Sequence, residues 1–233
     1  MPVDKFSYLL TFARTGPLAW LGHLDIMVVF ERSMRRAGLP LLWSQGYNPR
    51  PSLVFALPLG VGVECRRDLL EIETTEALCP QDIVERLNAK LPRGLSLVEA
   101  RVSPDHRKSL MALVQAAAYR IEGPGLGQAF DQLTASPDPV TVVREHKGRT
   151  RSLDLFSYIQ QWQVQDADSF VYCCMAGSAD NLRPDLVLKA IAEFRPDLAT
   201  ACGGARIIRE GLYLMGLPSD LAGPMLDLYN NLD

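Results

Sequence analysis

The sequence predicts an α+β fold made of two tandem ferredoxin-like (βαββαβ) domains, each with an antiparallel sheet and helices on one face of it. Short runs of alternating apolar residues predict the strands, and runs with a 3.6-residue apolar period predict the helices. The same order of elements occurs twice along 233 residues, of which 48% are hydrophobic. Length and composition thus provide cores for two domains, which we place at residues 1–108 and 109–233.

The first strand and the first helix follow one another directly. Residues 6–16 alternate between apolar and polar side chains, as strands do. Residues 21–38 then change to a helical period, and Gly38 is expected to end this helix in the left-handed conformation. The apolar positions expected on the buried side of the helix are Leu24, Met27, Phe30 and Met34.

The remainder of the first domain is predicted from similar patterns. Residues 39–64 contain apolar, strand-like runs on both sides of a group of turn residues. Residues 68–76 alternate with acidic side chains, which is typical of a strand with one wet face. Residues 79–94 predict a helix that starts near a proline, and residues 95–103 predict the closing strand.

The second domain repeats this order with a less regular pattern. Residues 103–115 are expected to link the two domains, and residues 215–233 are expected to form a C-terminal tail. Between them we expect, in order, a strand at 116–124, a helix at 125–136, strand segments within 139–165, a strand at 168–177, a helix at 183–194 and a strand at 205–214.

Cysteine spacing and missing motifs exclude several classes of protein. The five cysteines include no C-x-x-C pair and no Cys/His ligand spacing, so we expect free thiols in a reducing compartment, without a metal or a cofactor. No phosphate-binding, dinucleotide-binding, zinc-protease or hydrolase motif is present. No stretch approaches the roughly 18 apolar residues of a membrane span. We therefore expect a cytoplasmic protein that does not enter a membrane.

Positive charge is concentrated in one part of an otherwise acidic chain. The formal net charge is −3, but residues 14–67 hold seven arginines against three acidic residues. Three of these arginines, Arg32, Arg35 and Arg36, fall on the polar side of the first helix. Such a run is either a solvated helix face or a phosphate-binding surface. The second interpretation is possible because the geometry of guanidinium groups matches that of phosphate oxygens.

The loop around residues 44–52 carries aromatic, amide and guanidinium groups and is stiffened by two prolines. Gly and Asn-Pro are ordinary turn formers, so the segment could serve only as a turn. A turn has no need of Tyr47 and Arg50, however, and stacking combined with charge is how single-stranded RNA is held. The candidate contacts in this segment and directly before it are Trp43, Tyr47, Asn48 and Arg50.

Two further features have both a structural and a functional interpretation. His23 precedes the first helix, where it either hydrogen-bonds to the helix start or serves as a general base or phosphate ligand. Gly203 and Gly204 separate the last helix from the last strand. They either form a tight turn or let the backbone come close to a bound phosphate.

Several of these segments together resemble a known family. Residues 15–25, 31–41, 44–64 and 68–73, with 183–191 and 207–214, are similar to the radical SAM-linked protein family, a bacterial domain of unknown function. The resemblance implies a partner, because members are fused to or encoded beside a B12-type radical SAM protein, often near a ribonuclease and ribosomal-protein genes. It also implies that the iron–sulfur chemistry belongs to that partner. Gly22 stands where the family has Ser, which removes a side-chain helix cap.

These observations lead to three functional hypotheses. The first is a non-enzymatic accessory protein that binds RNA or a ribosomal component and works with the radical SAM enzyme. The second is a metal-independent endoribonuclease with His23 as base and Arg50 stabilising the developing charge. The third is a protein-interaction module for the radical SAM partner. The oligomeric state is left open by the sequence.

Overall fold

The computed structural model describes residues 4–104, 109–146, 149–177 and 181–214 and has a mixed α+β fold, which confirms the predicted class. Its strands are β1 (Phe6–Arg14), β2 (Leu53–Phe55), β3 (Val63–Thr74), β4 (Leu95–Val102), β5 (Val114–Glu122), β6 (Thr141–His146), β7 (Arg149–Asp154), β8 (Ile159–Val164), β9 (Ser169–Met175) and β10 (Arg206–Leu214). Its helices are α1 (His23–Arg36), α2 (Pro80–Asn88), α3 (Leu110–Leu113), α4 (Leu126–Thr134), α5 (Pro184–Phe194) and α6 (Ala199–Gly203).

One largely antiparallel sheet runs through both halves of the chain, in the order β4-β1-β3-β10-β5-β9-β8. β3 and β10 pair in parallel through their first residues, and β2 pairs with a later part of β3. β6 and β7 form a separate two-stranded sheet. The orders β4-β1-β3-β2 and β10-β5-β9-β8 follow the same plan in the two halves, whereas the division into two domains stays a prediction.

α1 lies on the sheet through apolar side chains spaced by four residues. Ile26, Phe30 and Met34 are buried, and the Phe30 ring meets the Phe12 ring of β1 edge-on at 5.1 Å between centroids. The prediction that Leu24 faces the core is wrong, since 73% of its surface is exposed. Leu24 precedes Ile26 by two residues, which turns its side chain by about 200° around the helix axis.

The C-terminal end of α1 is closed by the predicted glycine cap. Gly38 has φ +65°, and the N–H of the following Leu39 donates to the Met34 carbonyl at 3.1 Å. The N–H of Gly38 donates to the Arg35 carbonyl at 3.0 Å. This is the Schellman arrangement, and it reverses the chain so that residues 39–43 run back beside the end of the helix.

Several other elements of the second half follow the predicted order. α4, β9, α5 and β10 fall within the segments assigned to them, and α6 ends at the glycine pair before β10. The predicted linker contains the short helix α3, with residues 105–108 outside the described part of the chain. The predicted C-terminal tail also lies outside the described residues. None of the described helices combines the length and hydropathy that crossing a bilayer requires.

α4 approaches the turn before β9 so closely that one position tolerates no side chain. A Cβ on Gly127 would stand 2.1 Å from the Asp166 carbonyl oxygen and 2.8 Å from that of Ser169. Both are backbone atoms, so they cannot give way by a rotamer change. We therefore expect Gly127→Ala to lower the free energy of unfolding by about 3 kcal/mol, measured by urea denaturation.

A matched control is Gly203→Ala, since a Cβ there would meet no described atom within 4 Å. That variant should be as stable as the wild type or slightly more so. Equal stability of the two variants would contradict the close contact of α4 with this turn.

Candidate functional site

The three arginines predicted for the polar side of α1 are all exposed, but they make different contacts. Arg35 pairs with Glu31 at 3.0 Å, and its guanidinium lies over the Trp43 ring, 4.5 Å from the centroid. Arg36 turns to the Lys90 carbonyl, to which it donates at 2.8 Å. Arg32 makes no hydrogen bond or ion pair with any part of the chain that the structure describes. Arg32 and Arg35 are thus presented to solvent together.

The loop of residues 44–50 is closed at its base by two hydrogen bonds. The Ser44 N–H donates to the Arg50 carbonyl at 2.8 Å, and the Arg50 N–H donates to the Ser44 hydroxyl at 3.0 Å. Trp43 and Pro51 form an isolated β-bridge just below. The residues between are held away from the body of the protein, and Tyr47 is 100% exposed.

These contacts place the α1 arginines and the loop side by side. Trp43 touches Arg35 in the last turn of α1, and the loop starts at the next residue. We call the set of Arg32, Arg35, Trp43 and loop residues 44–50 the basic strip. It includes the predicted candidates Tyr47, Asn48 and Arg50, all exposed. Arg36 is left out of it because its guanidinium donates to the Lys90 carbonyl.

His23 lies at the other end of α1. Twelve residues separate it from Arg35, which corresponds to about 18 Å along the helix axis. Its ring meets the Phe55 ring edge-on at 5.1 Å between centroids, and it is half-buried. Because Arg50 belongs to the loop near the C-terminal end of α1, the structure does not bring together the base and the charge-stabilising group of the endoribonuclease hypothesis.

Burial and positive charge lower the pKa of His23. Desolvation is the larger cause, and the guanidinium groups of Arg14 and Arg209 add to it. When the pKa of a histidine is lower in the folded state than in the unfolded state, the neutral ring favours folding. This contribution to stability is fully present when the pH is above the pKa of the unfolded state, about 6.5. That contribution is lost as the pH falls through the folded pKa.

We therefore expect the free energy of unfolding to decrease as the pH falls from 7 towards 5, in part because of His23. His23→Gln should make this decrease shallower, since the substituted side chain does not titrate. Urea denaturation at each pH measures the effect, and an NMR titration of the imidazole measures the pKa itself. A His23 pKa above 6.5 would contradict the described surroundings.

Sequence reasoning missed a buried ionic cluster where β3 meets β10. Asp68 and Arg209 form a two-pronged pair, with the Arg209 Nη2 2.5 Å from one carboxylate oxygen and Nε 3.1 Å from the other. Arg14 lies nearby and donates to the Val63 carbonyl at 2.6 Å. All three side chains are about 1% exposed. No signal in the sequence separated these residues from their neighbours, because β3 and β10 carry several other charged side chains.

Register explains why Arg14 and Arg209 lie close together. Cys65 of β3 is paired both with Arg14 of β1 and with Arg209 of β10, and Arg209 is paired in turn with Tyr119 of β5. Residues at paired positions point to the same face of a sheet. The row therefore crosses the junction of the two halves.

Comparison with known families now adds one finding. The model of an uncharacterized protein family conserved in bacteria, DUF2344, matches residues 7–184. The chain belongs to this family. The matched range includes α1, the whole basic strip and Asp68, but ends at the start of α5 and so leaves out Arg209. No curated protein matches the chain. The resemblance to an uncharacterized bacterial family is thereby confirmed.

Proposed function

We propose that this DUF2344 protein is a non-enzymatic accessory protein that binds single-stranded RNA, free or as part of a ribosomal component, and works with a radical SAM enzyme. The observation that carries the proposal is the basic strip. It combines three exposed guanidinium groups, a tryptophan under one of them and a fully exposed tyrosine on a closed loop.

Each part of the strip suits a chain of nucleotides. Arg32 and Arg50 have no partner for their guanidinium groups among the described residues, so both are available for phosphate oxygens. Tyr47 buries none of its surface and therefore contributes nothing to the core. The ring is exposed to solvent, and the two prolines at residues 49 and 51 restrict the conformations of the loop that carries it. A base can therefore stack on the ring at a small cost in conformational entropy.

The partner follows from the family resemblance described above. The radical SAM protein would carry the iron–sulfur cluster and modify the RNA. This chain, which has no cysteine cluster of its own, would bind the RNA. We also propose that the two halves, with orders β4-β1-β3-β2 and β10-β5-β9-β8, are the two ferredoxin-like units of such a binding protein. Fold alone gives no activity, so the proposal depends on the strip.

A second candidate, docking of the partner protein, is favoured by exposed apolar side chains near the N-terminal end of α1. Trp20 and Leu24 are 72% and 73% exposed. Co-purification with the radical SAM protein tests this function. Loss of the complex in a Trp20→Ser, Leu24→Ser variant would support it, and a fully retained complex would count against it.

RNA binding is tested by the dependence of affinity on salt. We expect the affinity for a labelled single-stranded RNA, measured by fluorescence anisotropy, to fall steeply as salt rises. If Arg32 and Arg50 each contact one phosphate, replacing both by Ala should reduce the magnitude of the log–log slope by about 1.4. Lys189→Ala, an exposed cation on α5, is the control and should leave the slope unchanged. Absence of binding at low salt would refute the proposal.

Stacking on Tyr47 is tested separately from charge. We expect Tyr47→Ala to weaken RNA binding by about tenfold, since base stacking on an aromatic side chain contributes roughly 1–3 kcal/mol. Tyr47→Phe should retain most of the affinity because it keeps the ring. Thermal unfolding should be the same in both variants, as the side chain is fully exposed. Equal RNA affinity of the Ala and Phe variants would contradict a stacking role.

A further inference from the structure

The chain continues for 19 residues after β10, and this segment has a charge opposite to that of the basic strip. Residues 215–233 contain three aspartates, Asp220, Asp227 and Asp233, and no lysine or arginine. Nine of the 19 residues are hydrophobic. The segment therefore combines negative charge with apolar side chains, a composition complementary to a surface of arginines and aromatic rings.

The basic strip has the matching groups available. The guanidinium groups of Arg32 and Arg50 make no hydrogen bond or ion pair within the described part of the chain. Arg35 pairs with Glu31, which leaves two positive charges in excess on the strip. Tyr47 is fully exposed beside them. Guanidinium groups form strong, two-pronged hydrogen bonds with carboxylates, so aspartates suit this surface as well as phosphates do.

The direction of β10 brings the start of the segment towards the end of the sheet that carries the strip. β10 runs parallel to β3. Near the end of β3, the Glu73 carbonyl accepts a hydrogen bond from the Leu42 N–H at 2.8 Å. Leu42 directly precedes Trp43 and the loop of residues 44–50. β10 therefore ends, at Leu214, towards the same end of the sheet as this loop.

A series of contacts connects Leu214 with the base of the loop. Leu214 is paired with Val114, which directly follows α3, and α3 contacts β2. β2 begins two residues after Pro51, the bridge partner of Trp43. Asp220 is six residues beyond Leu214, and six residues span up to about 20 Å. The first aspartate of the segment is thus within reach of the strip.

We propose that residues 215–233 bind the basic strip of their own chain. The aspartate carboxylates pair with the guanidinium groups of Arg32 and Arg50, and the apolar side chains contact Trp43 and Tyr47. The segment then competes with RNA for the same groups. This consequence rests on the proposed function, whereas the contact itself does not.

The tether makes even a weak contact effective. The segment is attached to the protein whose surface it binds, so its effective concentration there is on the order of 1 mM. A contact with a dissociation constant of about 0.3 mM would then occupy the strip for about three-quarters of the time. Because RNA binds only the unoccupied strip, its apparent affinity would fall about fourfold.

A spin label on the segment of the full-length chain tests the contact without RNA. All five cysteines lie within the described residues, and only Cys79 is exposed. The variant Cys79→Ser, Ala222→Cys therefore takes the label within the segment. We expect the label to broaden the NMR amide signals of residues 32–35 and 43–50 at low salt, and the broadening to weaken as salt rises.

Two controls define what this broadening means. Replacing Arg32 and Arg50 by Ala in the labelled chain should remove most of it, whereas replacing the exposed Arg183 and Lys189 of the second half should not. The proposal is overturned if the strip signals are not broadened, or if both pairs of substitutions have the same effect. It is also overturned if a spin-labelled chain broadens the signals of a second, unlabelled copy equally, because the contact would then join two chains.

Competition with RNA is measured with a variant in which the three aspartates of the segment become Asn. It should bind single-stranded RNA about fourfold more tightly than a control with the same change of net charge. The control replaces three exposed acidic residues of the second half and is Asp131→Asn, Asp138→Asn, Glu193→Gln. Equal affinity of the two variants would overturn the competition. If no variant bound RNA at low salt while the broadening persisted, the proposed function would be refuted and the contact confirmed.

Discussion

Replacing Asp68 with Ala should lower the free energy of unfolding by about 3–5 kcal/mol. This is the largest loss of stability that we expect from removing one buried charge from this chain. The substitution leaves two buried guanidinium groups, Arg14 and Arg209, without any carboxylate between them. It also breaks the ion pair between Arg209 of β10 and Asp68 of β3, beside the parallel pairing that joins the two halves. Urea denaturation followed by circular dichroism measures the loss.

Two further variants separate charge from packing. Glu64→Ala removes an ion pair with Arg206 at the same junction, but Arg206 is half-exposed, so about 1 kcal/mol or less should be lost. The double change Asp68→Leu with Arg209→Met removes both buried charges and should recover part of the stability lost by Asp68→Ala. If Asp68→Ala were no less stable than Glu64→Ala, the buried pair would not support the junction.

The second large effect concerns RNA. Replacing Arg32, Arg35 and Arg50 together by Ala should weaken binding of single-stranded RNA by about a hundredfold at low salt, since each solvent-exposed phosphate contact contributes roughly 1 kcal/mol. The folded state should be little affected, because all three side chains are exposed and, within the described part of the chain, only Arg35 has an ion pair.

A variant with the same change of net charge is the control for this result. Arg183 and Lys189 are also exposed, Arg195 is half-buried, and all three lie around α5, away from the strip. Replacing these three by Ala should weaken RNA binding by only a few-fold, through the general change in charge. A control that lost as much affinity as the strip variant would mean that binding is unspecific.

Local features were predictable from the sequence because a few adjacent residues determine them. The period of residues 23–36 and the glycine that follows define α1 and its cap. The period of these residues also predicts that the arginines of α1 lie on its exposed side. Leu24 was misplaced because it lies three residues before the half-buried Met27, a helical core spacing, whereas Ile26, Phe30 and Met34 define the buried face.

Long-range features were not predictable in this way. Asp68 and Arg209 are 141 residues apart, and only the parallel pairing of β3 with β10 brings them together. Sequence periodicity carries no information about which strands become neighbours. The distance between His23 and the loop at residues 44–50 could not be predicted either. It depends on the direction in which the chain leaves α1, and the periodicity of the sequence does not determine that direction.

The most direct test of the proposed RNA-binding face is an NMR titration of the isotope-labelled full chain with a short single-stranded RNA at low salt. We predict that amide shifts change at residues 31–35 and 43–51, with small changes elsewhere. Shift changes that occur mainly on other surfaces, or no change at all at millimolar RNA, would contradict the assignment of this face.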